Sequence, residues 1–167
     1  SGGWNTAVGM YSLLNNTTGT NNTAIGYGAL FTNTSSGNNT ANGYAALYNT
    51  TTGSNNTANG NMALFSNTTG AYNTAIGHYA LNKNTGDYNV AMGSDALSNN
   101  TSGYNNVAIG FSALNTNTTA EKNTAIGTYA LKLNTTGSYN TAIGNEALLS
   151  NTTGTYNNAI GEGSLKS

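Results

Sequence analysis

The chain has 167 residues, 5% of them charged, with four Lys, no Arg, five acids and a net charge of −1. So few and so scattered charges exclude a nucleic-acid surface, and no apolar run approaches the roughly 20 residues of a bilayer span, so neither a nucleic-acid partner nor membrane insertion is expected. Cysteine is absent, which removes disulfides and thiolate metal sites, and proline is absent, which suits stacked strands that use every backbone N–H.

From Asn5 onward one phrase recurs, written most fully as Asn22-Thr23-Ala24-Ile25-Gly26-Tyr27-Gly28-Ala29-Leu30. Its glycine returns at Gly9, Gly26, Gly43, Gly60, Gly77, Gly93, Gly110, Gly127, Gly144 and Gly161. Every step is 17 residues except the 16 from Gly77 to Gly93. Ten copies fill the sequence, so residues 1–167 read as a single repeat solenoid in which each copy is one coil. Both ends fall in mid-repeat, which predicts a piece cut from a longer array, with open edges able to accept another coil.

Each coil opens with a short strand, Asn-Thr-Ala-Ile or a close variant, in which Thr and Ile favour extended backbone. Alternation puts Ala on one face and Thr with Ile on the other. Asn stands four places before every glycine, and stacking turns it into a ladder of side-chain amides bonding the copies above and below. Asn22, Asn39, Asn56, Asn73, Asn89, Asn106, Asn123 and Asn140 are its expected rungs. The core columns are assigned to the repeated apolar positions, represented by Ala24, Ile25, Leu30, Ala75, Leu81, Leu114, Ala125, Leu131 and Leu148. In two consecutive coils Asn42 and Asn59 replace the Ile, which predicts a buried, mutually hydrogen-bonded pair.

After the glycine, spellings such as Ser94-Asp95-Ala96-Leu97 favour a short helical turn, with a second strand as the alternative. Asn-Thr-Thr-Gly then closes the coil, with Gly for an unusual φ. Departures collect here: Gly37 comes one place late, Gly86 follows a one-residue deletion, and Ala120 replaces the Gly. The fold class is therefore an all-β solenoid, a parallel β-roll or β-helix of about ten coils. Each coil carries one short strand plus a short turn or helical turn, and the rod is about 45 Å long at the usual strand spacing. Apolar groups on both strand faces leave a thin coil wanting a cover. This predicts self-association, as a homotrimer or an end-to-end filament.

No catalytic or metal site and no cofactor is expected. His78 is the only histidine and sits in a variable column, and the acids Asp87, Asp95, Glu121, Glu146 and Glu162 form no adjacent pair. Tyr72, Tyr88, Tyr139 and Tyr156 share the place five before the glycine, and serve either an oligomer interface or a platform for sugar rings. Sequons begin at Asn16, Asn33, Asn67, Asn117, Asn134 and Asn151, which makes them candidate N-glycosylation points. The same residues are ordinary turn chemistry, and that reading is favoured.

Asn-Thr-Ala-Ile-Gly-x-x-Ala-Leu resembles the repeats of trimeric autotransporter adhesin heads. It is more similar still to Asn-Thr-Ala-Ile-Gly arrays in phage tail-fibre-like and bacterial surface proteins. The resemblance covers the whole chain. It implies a trimeric β-roll that binds host surfaces, although the period of 17 exceeds the roughly 14 of the adhesin repeats. The expected function is a non-enzymatic, extracellular structural or adhesive fibre segment, on a cell surface or a virion. The alternatives are a carbohydrate-binding module, with a surface glycan as partner, and an ice-binding solenoid.

Overall fold

The computed structural model describes residues 2–166. Ten three-residue strands, one per coil, form a single parallel sheet in strict sequence order. They are β1 (Thr6–Val8), β2 (Thr23–Ile25), β3 (Thr40–Asn42), β4 (Thr57–Asn59), β5 (Thr74–Ile76), β6 (Val90–Met92), β7 (Val107–Ile109), β8 (Thr124–Ile126), β9 (Thr141–Ile143) and β10 (Asn158–Ile160). The register is that of the repeat: Thr pairs with Thr and Ala with Ala through the N-terminal half, as in Ala24 against Ala41. It holds across the short coil, where Ala75 faces Ala91. The chain is a β-solenoid.

The strand's middle Ala points inward and is fully buried in Ala24, Ala75 and Ala125. It meets the Leu four places after the glycine from the opposite wall of the coil. Leu30, Leu81, Leu97, Leu114 and Leu131 have no exposed surface, and Leu148 retains only 4%. These two columns and the Ala preceding the Leu form one continuous core. An interior this narrow has room for Ala on the strand and one Leu, and nothing larger.

Ile25 does not belong to that core. It lies on the outer face of the sheet, 40% exposed, because residues either side of the inward Ala must point away from it. Ile76, Met92, Ile143 and Ile160 share that outer column and are also exposed. Asn42 and Asn59 occupy it too, so they are exposed rather than buried. Their amides approach to 3.5 Å, the outer limit of a hydrogen bond.

No helix forms among the described residues, and the expected helical turn is replaced by an arc in which left-handed residues alternate with ordinary ones. Besides the repeated glycine, three residues of each coil take positive φ: those five before, two after and four after it. The Leu column holds φ between 48° and 52°, where an ordinary residue is strained by roughly 1–2 kcal/mol. Neighbouring coils impose it. The Leu30 N–H donates up the stack to the Ala46 carbonyl at 3.1 Å, while the Gly28 N–H donates down to Met10 at 2.9 Å. A right-handed turn would aim these groups within the coil and leave the ladder unpaired. The repeated glycine is required where the strand ends: Gly26 has φ +123°, and a Cβ there would lie 2.5 Å from the Gly43 carbonyl oxygen.

Candidate functional site

Two columns of asparagine run inside the rod, and they bond differently. In the column before the strand, each Oδ1 accepts the backbone N–H of the next Asn at 2.8–3.0 Å. Each Nδ2 donates at 2.8–3.0 Å to a turn carbonyl such as Ser36, Gly53 or Ala120. The ladder is thus mainly side chain to backbone, not the amide-to-amide stack that the repeat suggested; only a few pairs, such as Asn157 on Asn140 at 3.0 Å, add that contact. The backbone is the better partner because its N–H groups are fixed in place and would otherwise be buried unpaired.

The amide-to-amide stack is the other column, seven places after the glycine, and it contains the sequon asparagines. Asn33 donates to Asn16 at 2.8 Å, Asn117 to Asn100 at 2.8 Å, Asn134 to Asn117 at 3.2 Å and Asn151 to Asn134 at 2.9 Å. Asn33, Asn67, Asn117 and Asn134 are fully buried, with Asn16 and Asn151 half-buried at the ends. The nitrogen that would carry a glycan is the donor in every case, so a glycan at the four buried rungs would displace a hydrogen bond of the folded coil. Asn67 donates instead to the Gly70 carbonyl at 2.9 Å.

This second column is interrupted twice. Thr50 takes one rung and turns its hydroxyl to the Asn67 carbonyl at 2.9 Å. At the 16-residue coil the turn contracts, and Asn84 donates to Gly86 at 2.7 Å rather than to Asn67. Asn67 Oδ1 is left as the one buried side-chain polar atom without a partner among the described residues. Ser36 fills the glycine place in its turn and bonds both Asn33 and Asn39, so the displaced Gly37 is accommodated without loss.

Along the same edge of the rod runs an exposed aromatic strip. Tyr72 stacks on Tyr88 with ring centroids 5.0 Å apart, and Tyr139 on Tyr156 at 4.8 Å. Two residues outside the expected set join the pairs. Lys122, in the tyrosine column itself, donates to the Tyr139 hydroxyl at 2.8 Å and lies 5.9 Å from the Tyr104 ring centre. Its ammonium is held above the usual lysine pKa, chiefly by that hydrogen bond, against a smaller desolvation effect, with the Glu121 carboxylate 3.6 Å away adding in the same direction. Tyr104 stands one place earlier in its coil than the other tyrosines, which hides it from a column count. In the coils leading up to Tyr72 a separate stack, Phe31, Tyr48 and Phe65, five places after the glycine, has centroids 4.8 and 5.3 Å apart.

The strip is indented at the short coil by a cleft of about 400 Å³. Tyr88, Tyr104, Asp87, Asn105 and Ser102 line it around the contracted turn at Thr85 and Gly86. The signal for it in the sequence was the single 16-residue step. His78 lies exposed against the Tyr79 ring, and of the acids Asp87, Asp95, Glu146 and Glu162 only Asp87 lines the cleft. No group of three metal-ligating side chains occurs among the described residues. No helix there is long and apolar enough to cross a membrane. Set beside known proteins, the chain matches no family, no curated protein and no solved structure.

Proposed function

We propose that the chain is a non-enzymatic structural and adhesive fibre segment, extracellular on a cell surface or virion, assembled as a homotrimer about its sheet face. The observation that carries this reading is the outer column Ile25, Ile76, Met92, Ile109, Ile126, Ile143 and Ile160. From Ile76 to Ile160 it is an unbroken apolar row of six rungs, separated from Ile25 by Asn42 and Asn59; Ile76, Met92 and Ile143 are each 36–38% exposed and Ile160 69%, on a chain otherwise rich in Asn and Thr. Contiguous apolar surface of this kind marks an interaction site. A second copy of the same rod offers the matching periodicity, and three such faces close around an axis with no edge left over.

Sedimentation velocity tests the assembly directly. The expected mass is three times the 17.0 kDa of one chain. The double change Ile109→Lys with Ile126→Lys should give single chains that keep their β circular dichroism. A wild-type chain that stays single at high concentration overturns the trimer. Long fibres in negative stain would assign the contact to the coil ends instead.

One observation favours a second reading. Thr6, Thr23, Thr40, Thr57 and Thr74 make five unbroken in-register rungs beside that column, as an ice-binding face would require. The row is interrupted at Val90 and Val107, resumes at Thr124 and Thr141 and gives way to Asn158, which favours a protein contact. Thermal hysteresis of the purified chain decides between them.

A further inference from the structure

We propose that the cleft at the 16-residue coil is a binding site for a neutral pyranose of a surface glycan, a reading that rests on the adhesive function and names its ligand. The cleft exists because one rung is missing. Elsewhere the outermost turn residue, nine places after the glycine, stacks coil upon coil, as Thr69 and Ser102 do. Between those two, the chain passes from Thr85 straight to Gly86 and supplies no residue. The space left open over Ser102 is lined by the contracted turn, Thr85 to Tyr88, and by Ser102, Tyr104 and Asn105 of the following coil. A volume of about 400 Å³ falls within the range of small-ligand pockets.

The walls of this gap have the chemistry of a sugar site. Tyr88 is covered by Tyr72 on one face only, at 5.0 Å and 5° between planes. The next rung on its other side is Asn105, not a ring, so that face of Tyr88 stays open to the cleft, and the side chain is 54% exposed. A pyranose presents C–H groups on its faces and hydroxyls at its rim, which suits an aromatic face bordered by polar groups. Asp87 holds its place by accepting the Ala71 N–H at 2.8 Å with one carboxylate oxygen. Its other oxygen is left for ligand hydroxyls, and the Asn105 amide and Ser102 hydroxyl complete the rim. Tyr104 closes the far side.

The carboxylate also selects. Asp87 is the only charge on the rim, since Lys122 is engaged by Tyr139 and Glu121. An acidic sugar would be repelled and a neutral one accepted. The Tyr139–Tyr156 pair has stacked rings but no missing rung beside it, so it lacks the pocket.

The test uses the intact chain on immobilised oligosaccharides ending in neutral hexoses or N-acetylhexosamines, and on their sialylated counterparts. Retention by neutral termini is expected, with Tyr88→Ala weakening it about tenfold or more, Asp87→Ala weakening it similarly, and Tyr156→Ala leaving it unchanged. Inserting one threonine between Thr85 and Gly86 restores the missing rung and should abolish retention while the variant melts no lower than the parent. If that variant misfolds, the contrast between Tyr88→Ala and Tyr156→Ala decides alone. Absence of retention, preference for sialylated termini, or full retention by Tyr88→Ala overturns the site. Sedimentation of the same samples separates this from the assembly: single chains that bind neutral sugar refute the trimer and keep the site, and trimers that bind none do the reverse.

Discussion

The two asparagine columns share a residue type, a period and a buried location, yet one is continuous and the other is broken. The column before the strand passes through the short coil unchanged, with the Asn89 N–H on Asn73 Oδ1 at 2.9 Å and Asn73 Nδ2 on Gly86 at 2.9 Å. The turn column stops at Thr50 and again between Asn67 and Asn84. The difference lies in the partner. A backbone group is present in every coil whatever its sequence, whereas a side-chain amide is present only if the neighbouring coil supplies one. The first column therefore fixes the fold, and the second is where the coil can change length and acquire a cleft.

Breaking the continuous column should cost most. Asn123→Ala leaves the buried Asn140 N–H without its 2.9 Å acceptor and removes the bond to Gly137. A loss of about 3 kcal/mol is expected, read from urea unfolding. A loss below that of the turn-column change would reverse the ranking of the columns.

The arc between the columns comes next. Leu114→Ile keeps the atoms and the hydrophobicity but asks a β-branched residue to hold φ near 52°. A decrease of about 2 kcal/mol separates backbone strain from core packing, which alone would predict a smaller effect. In the turn column, Asn117→Ala removes one rung but leaves Asn134 its bond to Gly137 at 2.8 Å. About 1.5 kcal/mol is expected, half the loss at Asn123. The smallest effect has the opposite sign. Thr50→Asn would join Asn33 to Asn67 through a new rung, and a gain of about 0.5 kcal/mol in the same unfolding assay would show that continuity itself stabilises.

The period, the strands, the inward Ala and the buried Leu were legible in the sequence because each is one geometric demand written ten times. Ile25 is apolar enough for the core, yet alternation puts it outside. Hydrophobicity said buried, while the inward Ala beside it had already taken the interior. The helical spelling of Ser94-Asp95-Ala96-Leu97 failed for another reason. Local propensity is overruled when neighbouring coils supply the hydrogen bonds. A subtler sign was present: no Val, Ile or Thr stands at any of the three positive-φ places, as in the uniform choice of Leu over Ile at the core. The sequons looked like surface chemistry because a turn is usually wet, but stacking buries the side chain that a lone turn would expose. Of the cleft, only the missing residue was visible. Tyr104 lines it from one place outside the tyrosine column, and Lys122, within that column, joins the aromatic strip beside it as a residue of another type.

The uniformity of the core has a consequence for how the chain finds its own register. Each strand pairs only with the next one along, so assembly can proceed by adding coils one at a time to a finished edge. An arriving coil that skipped its proper neighbour would meet the same Ala, Leu and Asn and would fit almost as well, with one loop of chain left hanging. Identical rungs supply no address. The irregular ones do. A skip across the short coil would oppose turns of unequal length, and a skip across β3 and β4 would set apart the only two strands that place Asn in the outer Ile column. The departures from the repeat are the marks by which a molecule of near-identical steps can count them.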